Sequence, residues 1–450
     1  TPSLNFIGDT VGDVAPHSMS EMRGIRFASG NSPTTGSIRL SDFRNKTITP
    51  IIDEQAKIQA LDKQANDWFG YSVAISEDGN TAIVGAYLED TGGSDAGAAY
   101  IFTRSGTTWT QQKKIQALDK QAGDHFGISV SISDDGNTAI VGASREDTGA
   151  SNAGAAYIFT RSGTTWTQQQ KIQALDKQQY DEFGLSVSIS GDGNTAIVGA
   201  PYEDTGGSVA GAAYIFTRSG TTWSQQQKIQ STDIQTYHVF GYSVAISGDG
   251  NTVIVLASGV DTGASNAGAA YIFAWSGTDW SEQQKIQASD KQANDQFGIS
   301  VSISDDGNTA IVGVHREDTG GTDAGAAYIF TRSGTSWSEQ QKIQASDKQT
   351  YDLFGYSVTI SGDGNTVIVG GLLEDTGGTD AGAAYVFTRT DSVWTQREKI
   401  QASDKQASDY FGESVAISGD GNTAIVGATR EDTGGTDAGA AYIYINNYYI

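Results

Sequence analysis

The sequence predicts an all-β protein, a seven-bladed β-propeller of four-stranded antiparallel blades. Three observations carry this prediction: a Phe-Gly pair that recurs every 57 residues, four strand-like segments in each period, and a strand-like segment before the first period. The Phe-Gly pairs begin at Phe69, Phe126, Phe183, Phe240, Phe297, Phe354 and Phe411. Because no insertion interrupts the series, we expect residues 51–450 to form one repeat array and residues 1–50 to form a separate N-terminal arm.

Each period contains four short segments with the residue pattern of β-strands, separated by turn residues. In the first period they are YSVAIS at 71–76, TAIVGA at 81–86, AAYIF at 98–102 and WTQQKKI at 109–115. Asp78-Gly79 and Ser105-Gly106 are pairs that favour tight hairpins. A four-stranded meander cannot bury both of its faces alone, so we expect the seven copies to stack radially around an axis.

The two ends of the array predict how the ring closes. The outer-strand tryptophan recurs up to Trp394, and the seventh repeat has none. At the other end, a Lys-Ile pair at 57–58 matches the end of every outer strand, although no blade precedes it. We therefore expect residues 51–58 to pair with residues 442–445 as the seventh outer strand, which removes open sheet edges.

Composition and charge narrow the classes of partner. The chain has 28 Lys and Arg against 53 Asp and Glu, a net charge of -25, whereas residues 1–50 carry five basic and four acidic residues. An acidic surface repels phosphate backbones, so we expect no nucleic-acid partner. The absence of Cys excludes disulfides and thiolate metal sites. No run of 18 apolar residues occurs, so we expect no insertion into a membrane.

Together, FGYSVAIS, TAIVGA, GAAYIF and the pattern W-x-Q-Q-x-K-I resemble the FG-GAP repeat family. That family includes the repeats of the integrin alpha-chain propeller and of microbial and viral proteins, so the resemblance implies a propeller with an adhesive or structural function. Some integrin hairpins hold calcium through a D-x-D-x-D-G loop, but the matching turn at 76–81 has too few carboxylates, and we carry no calcium over to it. A calcium site at Glu89, Asp90 and Asp95, in the E-D-T-G-G-x-D loop, stays open.

The arm contains a duplicated motif, x-[ML]-S-[ED]-[MF]-R, at 18–23 and 39–44. The motif resembles N-terminal segments of structural proteins from tailed bacteriophages and large algal viruses, which implies that the arm anchors the protein to a particle. An ordinary linker with two chance helix caps is the alternative. The candidate anchoring residues are Met19, Glu21, Met22, Arg23, Leu40, Asp42, Phe43 and Arg44.

We expect no enzymatic activity, because the acidic residues of the array recur in equivalent settings in six or seven blades. A catalytic carboxylate pair needs two different environments. No nucleophile elbow, phosphate-binding loop or dinucleotide fingerprint is present, and the four histidines have no metal-ligand spacing. We predict no cofactor.

Two short segments of the repeat vary while the scaffold stays constant. One is the single residue before Phe-Gly, and the other is the pair of residues after the Gly-Ala-like step. Both belong to loops on the same side of a blade, called here the variable face. The candidate binding residues on it are Trp68, Tyr87, Leu88, His125, Arg145, Glu182, Tyr202, His315, Arg316, Tyr410 and Arg430. Variation at exposed loops arises by drift or by selection for recognition, and the aromatic and arginine content suits recognition.

These observations favour a non-enzymatic virion structural protein, associated with the particle surface, tail or capsid. Its arm would bind other virion proteins, and its variable face would contact a host-surface protein or glycan. A secreted or cell-surface microbial adhesion module with calcium in its acidic loops is the first alternative. An extracellular carbohydrate-active enzyme is the second, and it would need a unique acidic cluster on the axis.

Overall fold

The computed structural model describes residues 25–26 and 49–449, and it describes side chains for residues 52–446. This part of the chain forms 29 β-strands arranged as seven sheets. It contains no helix, and therefore none with the length and apolar content that a membrane crossing requires. The first two strands are β1 (Ile25–Arg26) and β2 (Thr49–Ile58).

Six blades each consist of four consecutive antiparallel strands. Blade 1 contains β3 (Ser72–Ile75), β4 (Thr81–Ala86), β5 (Ala98–Ser105) and β6 (Thr108–Ile115). Blade 2 contains β7 (Phe126–Ile132), β8 (Thr138–Ala143), β9 (Ala155–Ser162) and β10 (Thr165–Ile172). Blade 3 contains β11 (Val187–Ile189), β12 (Thr195–Ala200), β13 (Ala212–Ser219) and β14 (Thr222–Ile229). Blade 4 contains β15 (Phe240–Ile246), β16 (Thr252–Ala257), β17 (Ala269–Trp275) and β18 (Trp280–Ile286). Blade 5 contains β19 (Val301–Ile303), β20 (Thr309–Val314), β21 (Ala326–Ser333) and β22 (Ser336–Ile343). Blade 6 contains β23 (Phe354–Ile360), β24 (Thr366–Gly371), β25 (Ala383–Thr390) and β26 (Val393–Ile400).

Blade 7 joins the two ends of the array. Its own strands are β27 (Phe411–Ile417), β28 (Thr423–Ala428) and β29 (Ala440–Tyr449). Its outer strand is β2, which pairs antiparallel with β29 and places Asp53 opposite Ile445 and Lys57 opposite Tyr442. The predicted ring closure is therefore confirmed, and so is the seven-bladed all-β fold. The short strand β1 pairs in parallel with the end of β29.

The Phe-Gly pair explains why the repeat is so regular, because it joins neighbouring blades. Phe126 is fully buried and packs edge-on against Tyr157, with ring centroids 5.5 Å apart. Gly127 has a φ of +95°, and a Cβ there would lie 2.3 Å from the carbonyl oxygen of Ala98 in blade 1. A side chain at this position would therefore push two blades apart. The first strands of the blades contact one another in sequence, and β27 contacts β3 to complete an inner ring.

Ion pairs fix the loops that lead to the variable face. In blade 1, Lys114 Nζ lies 2.7 Å from an Asp62 carboxylate oxygen and 2.6 Å from the buried Glu89 carboxylate. The same lysine ammonium sits 5.5 Å from the centroid of the Tyr100 ring. Equivalent arrangements recur around the ring, but in blade 4 Val260 occupies the position of Glu89. A buried carboxylate with two charged or polar partners is stable only as part of such a network.

Candidate functional site: the variable face and the axial cavity

The residue before each Phe-Gly pair has an unusual backbone conformation. In all seven blades its φ is positive, for example 52° at Trp68, 58° at His125 and 59° at Tyr410. Glycine, Asn and Asp adopt this conformation at the lowest cost, yet none of them occupies any of the seven positions. The fold therefore tolerates strain at this position and keeps a side chain on the variable face.

Side chains from blades 1 and 2 form an aromatic cluster on the variable face. The Tyr87 ring lies 4.5 Å from Tyr71, 5.7 Å from Trp68 and 5.0 Å from His125, measured between centroids, each in an edge-on geometry. Trp68 also stacks on Tyr71 at 6.4 Å. Such contacts hold the rings in place without removing them from solvent, and Trp68, Tyr87 and His125 are half-buried.

Blade 7 extends this cluster across the closure of the ring. The Arg430 guanidinium lies 4.3 Å from the centroid of the Tyr410 ring and 5.5 Å from the Trp68 ring. Contacts of this kind between a cation and an aromatic face are attractive, and they hold the guanidinium beside both rings. The structure thus brings five of the predicted binding residues into one contiguous surface: Trp68, Tyr87, His125, Tyr410 and Arg430.

A cavity of about 270 Å³ opens on the axis beside the cluster. Tyr71, Tyr242, Tyr356 and Glu413 line it, together with aliphatic side chains and a ring of serines. Glu413 accepts a hydrogen bond from the Thr429 hydroxyl, and burial raises the pKa of this carboxyl group to about 7. Glu413 is the one acidic residue among those that line this cavity.

The sequence analysis did not select Tyr71, Tyr242, Tyr356 and Glu413 as candidate site residues. They occupy the position directly after Phe-Gly, where the other blades have Ile128, Leu185 and Ile299. Comparing this position across the seven repeats would have revealed one acidic residue among aliphatic and tyrosine side chains.

The remaining predicted binding residues lie around this centre with different exposures. Arg145 and Arg316 are exposed, whereas Glu182, Tyr202 and Leu88 are half-buried. His315 is only 5% exposed, and its ring lies 5.9 Å from Tyr356. We had included His315 among the candidate binding residues of exposed loops, and the structure corrects this, because the side chain is buried against Tyr356. Burial lowers its pKa to about 4, so the ring is neutral at pH 7.

The calcium candidates Glu89, Asp90 and Asp95 do not converge on a common point. Besides pairing with Lys114, Glu89 accepts a hydrogen bond from the Gln116 side chain. Asp90 is exposed, and its Oδ1 accepts the backbone N–H of Asp95. Among the described residues, no group of three or more His, Asp or Glu side chains is placed to hold a metal ion. The candidate anchoring residues of the arm lie outside the described residues.

The opposite face of the propeller has a different character. Its hairpin turns are closed locally: Asp78 Oδ1 accepts the Ser76 hydroxyl at 2.6 Å and the Asn80 N–H at 2.9 Å. Near the axis on this face stand Glu77 and Asp134. Burial, reinforced by neighbouring carboxylates, raises the pKa of Asp134 to about 7. The two mouths of the axis therefore differ: this one is acidic, and the variable face presents arginine and aromatic side chains.

A closed ring of seven repeats with divergent loops on one face defines a propeller of the protein-interaction or adhesion class. The FG-GAP repeat matches the chain at residues 52–102, 109–159, 166–216, 223–273, 280–330, 337–387 and 394–444. The chain therefore belongs to the FG-GAP repeat family. No curated protein matches it significantly.

Proposed function

We propose that this protein is a non-enzymatic recognition module whose variable face contacts a host-surface protein or glycan. The observation that carries the proposal is the cluster of Trp68, Tyr87, Tyr410 and Arg430, which joins blades 7 and 1 on the face where the repeats diverge. Tryptophan, tyrosine and arginine dominate the energetics of binding surfaces, and here aromatic contacts already order them.

The backbone strain before Phe-Gly supports a role in binding. A residue other than glycine in the left-handed region costs on the order of 1 kcal/mol. At Trp68 and Tyr410, where φ is 52° and 59°, a glycine or asparagine would relieve that cost. Because the strain recurs at all seven copies, it identifies a position that presents a side chain on the variable face, and the aromatic cluster singles out the copies in blades 7 and 1 as the ones we expect to bind.

The axial cavity supports binding over catalysis. Glycoside hydrolysis by the common mechanisms uses two carboxyl groups placed on either side of the scissile bond. Among the residues that line this cavity, Glu413 alone is acidic. The carbohydrate-active enzyme that we held as an alternative would need a second acid in this cavity, or it would have to use the acidic mouth on the opposite face, where Glu77 and Asp134 stand away from the variable face.

The setting that we propose is the surface of a virus particle, with residues 1–50 as the anchor to other virion proteins. This part of the proposal rests on the duplicated arm motif and on the near-neutral charge of the arm beside an acidic propeller. Mass spectrometry of purified particles tests it, and arm-deleted protein should fail to incorporate. Absence of the full-length protein from particles would refute this setting and favour a secreted or cell-surface adhesion module.

The recognition face itself is tested with two matched double variants of a fluorescently tagged propeller. Trp68→Ala with Tyr410→Ala removes cluster side chains, and Gln296→Ala with Leu353→Ala removes side chains at the same repeat position in blades 5 and 6. We expect the first variant to lose at least tenfold in apparent affinity for host cells, about 1.4 kcal/mol or more. The second should bind as the wild type does. Equal binding by both variants would show that the cluster is not the contact surface.

A further inference from the structure

The arginine side chains of residues 52–446 fall into two groups. Six of them donate hydrogen bonds to neighbouring side chains: Arg104, Arg161, Arg218, Arg332, Arg389 and Arg397. The other three, Arg145, Arg316 and Arg430, form no side-chain hydrogen bond or ion pair with the described residues. All three occupy the same repeat position on the variable face, the second residue after the Gly-Ala-like step. An acidic protein thus places its unpaired guanidinium groups where a ligand can reach them.

Arg430 stands at one end of the aromatic cluster, and its geometry suits an anionic ligand. The guanidinium carbon lies over the Tyr410 and Trp68 rings, and none of the guanidinium N–H groups donates a hydrogen bond to a described residue, so these groups keep their capacity to donate. A planar guanidinium with free N–H groups binds a carboxylate through two parallel hydrogen bonds.

Arg145 stands at the other end of the cluster. Its backbone N–H donates to the carbonyl oxygen of Asp124 at 3.3 Å, which places Arg145 beside His125. Burial, together with the charge of Arg145, lowers the pKa of the His125 imidazole to about 4. His125 in turn contacts Tyr87 at 5.0 Å. Two guanidinium groups therefore flank a row of aromatic rings, and the neutral imidazole adds no charge between them.

The surroundings limit the size and charge of the ligand. Exposed aspartates of the same loops, including Asp90, Asp147 and Asp432, form an acidic outer ring on this face. A long polyanion that crosses the face would meet this ring and the net charge of -25. A ligand with one localised negative charge that reaches only the centre avoids contact with this ring, and it is repelled less by the net charge than a polyanion is.

The axial cavity distinguishes an acidic sugar from an acidic peptide. Tyr71 both lines the cavity and contacts Tyr87, so the cavity is continuous with the aromatic row. Tyrosine hydroxyls and the Glu413 carboxyl group offer partners to several hydroxyl groups. Four of the lining serines already donate to glycine carbonyl oxygens, and their hydroxyl oxygens can still accept. A peptide with several acidic residues would bring a second carboxylate into the cavity, and the Glu413 carboxylate would repel it. Sugar hydroxyls can donate to Glu413.

We propose that the surface between Arg430 and Arg145 binds a carboxylated sugar residue of a glycan. The carboxylate pairs with Arg430, the apolar face of the sugar ring packs on Trp68 and Tyr87, and hydroxyl groups point into the axial cavity. This proposal rests on the recognition face proposed above and names the chemistry of its ligand.

The test uses the full chain and pairs of sugars that differ only in their acidic group. Three pairs of methyl glycosides are compared by saturation-transfer NMR and calorimetry. They are the glucuronide with the glucoside, the galacturonide with the galactoside, and the glycoside of N-acetylneuraminic acid with the methyl ester of that glycoside. At least one acid should bind tenfold or more tightly than its neutral partner. Arg430→Gln should weaken that binding at least tenfold, and Arg397→Gln, an exposed arginine on the outer strand of blade 6, should leave it unchanged.

Three results would overturn the proposal: none of the acids binds, an acid and its neutral partner bind equally, or the two arginine variants weaken binding alike. Binding of a tetraglutamate peptide in place of every acidic sugar would also overturn it, in favour of an acidic protein partner. Thermal melting confirms that Arg430→Gln is folded, which we expect because this side chain makes no hydrogen bond. A further outcome is that the Trp68 and Tyr410 double variant loses cell binding while no acidic sugar binds the wild type. That result would refute the acidic-sugar proposal and leave the proposed recognition face supported.

Discussion

Buried aspartates two residues before the Phe-Gly pairs should make this propeller more stable in mild acid. Asp67 is 2% exposed, and its Oδ2 accepts the Gln64 N–H at 2.7 Å. Burial raises its pKa from 3.8 to about 6, and the nearby Glu89 carboxylate adds to the rise. Asp124, Asp181, Asp352 and Asp409 are raised to about 6 in the same way.

The sign follows from the number of protons that each state binds. Between about pH 4 and pH 6 these carboxyl groups are protonated in the folded state and ionised in the unfolded chain, so the free energy of unfolding falls as the pH rises. A group with a pKa of about 6 when folded and 3.8 when unfolded contributes about 1.4 kcal/mol more at pH 5 than at pH 7.5. His125 and His315, with pKa values lowered to about 4, act in the opposite direction, so the test compares a variant with the wild type.

The perturbation is the triple variant Asp67→Asn, Asp124→Asn and Asp181→Asn, which removes three of these titrating groups in separate blades. The effects of distant sites on the free energy of unfolding are additive. From pH 7.5 to pH 5, the free energy of unfolding of the triple variant should therefore rise by about 4 kcal/mol less than that of the wild type. With an unfolding entropy of about 0.8 kcal/mol/K for ~400 residues, this corresponds to about 5 °C of the change in Tm.

The assay is thermal melting of both proteins at pH 5 and pH 7.5 in buffers of equal ionic strength. A constant cost of the amide substitutions cancels, because only the difference between the two pH values is compared. Asp62→Asn is the matched control: contacts with Lys114 lower the pKa of Asp62, so its titration lies below pH 5. An identical pH response in the triple variant and the wild type would refute the reasoning.

Two further predictions concern closure and metals. Deletion of residues 1–50 should leave a folded propeller, whereas deletion of residues 1–60 should cause aggregation, because it opens the edge of β29 and removes the Lys57 pairs with Asp404 and Glu431. Equal melting temperatures of the two truncations would contradict this. Addition of EDTA should shift the Tm by less than about 2 °C, since no turn that the structure describes depends on a metal ligand set. A drop of tens of degrees would show that the acidic loops do hold a cation.

The repeat period made the fold accessible from the sequence. Four strand patterns, two tight turns and an unmatched outer strand are local features, and each depends on residues close together in the chain. The strand limits were slightly off: the third strand continues to Ser105, and the first is shorter than 71–76. Where a strand ends depends on its pairing with the neighbouring strand, and the sequence of a single segment does not reveal that pairing.

Only part of the candidate site could be predicted from the sequence. Variation between copies selected Trp68, Tyr87, Tyr410 and Arg430, but the same comparison could not show that they touch. The sequence analysis compared only the residue before Phe-Gly and the two residues after the Gly-Ala-like step, and so it missed Tyr71 and the other residues of the axial cavity. His315 shared the variable position and proved to be buried, because Tyr356 of the next blade packs against it.

The sequence by itself therefore determined the blade, the number of blades and the strand that closes the ring, since these follow from periodicity and from residues within one repeat. Only the tertiary structure decided which copies of a variable position meet. Arg430 reaches Trp68 because seven blades complete one turn and bring the last beside the first. That proximity depends on the accumulated rotation between blades, a property of packing that no single repeat contains.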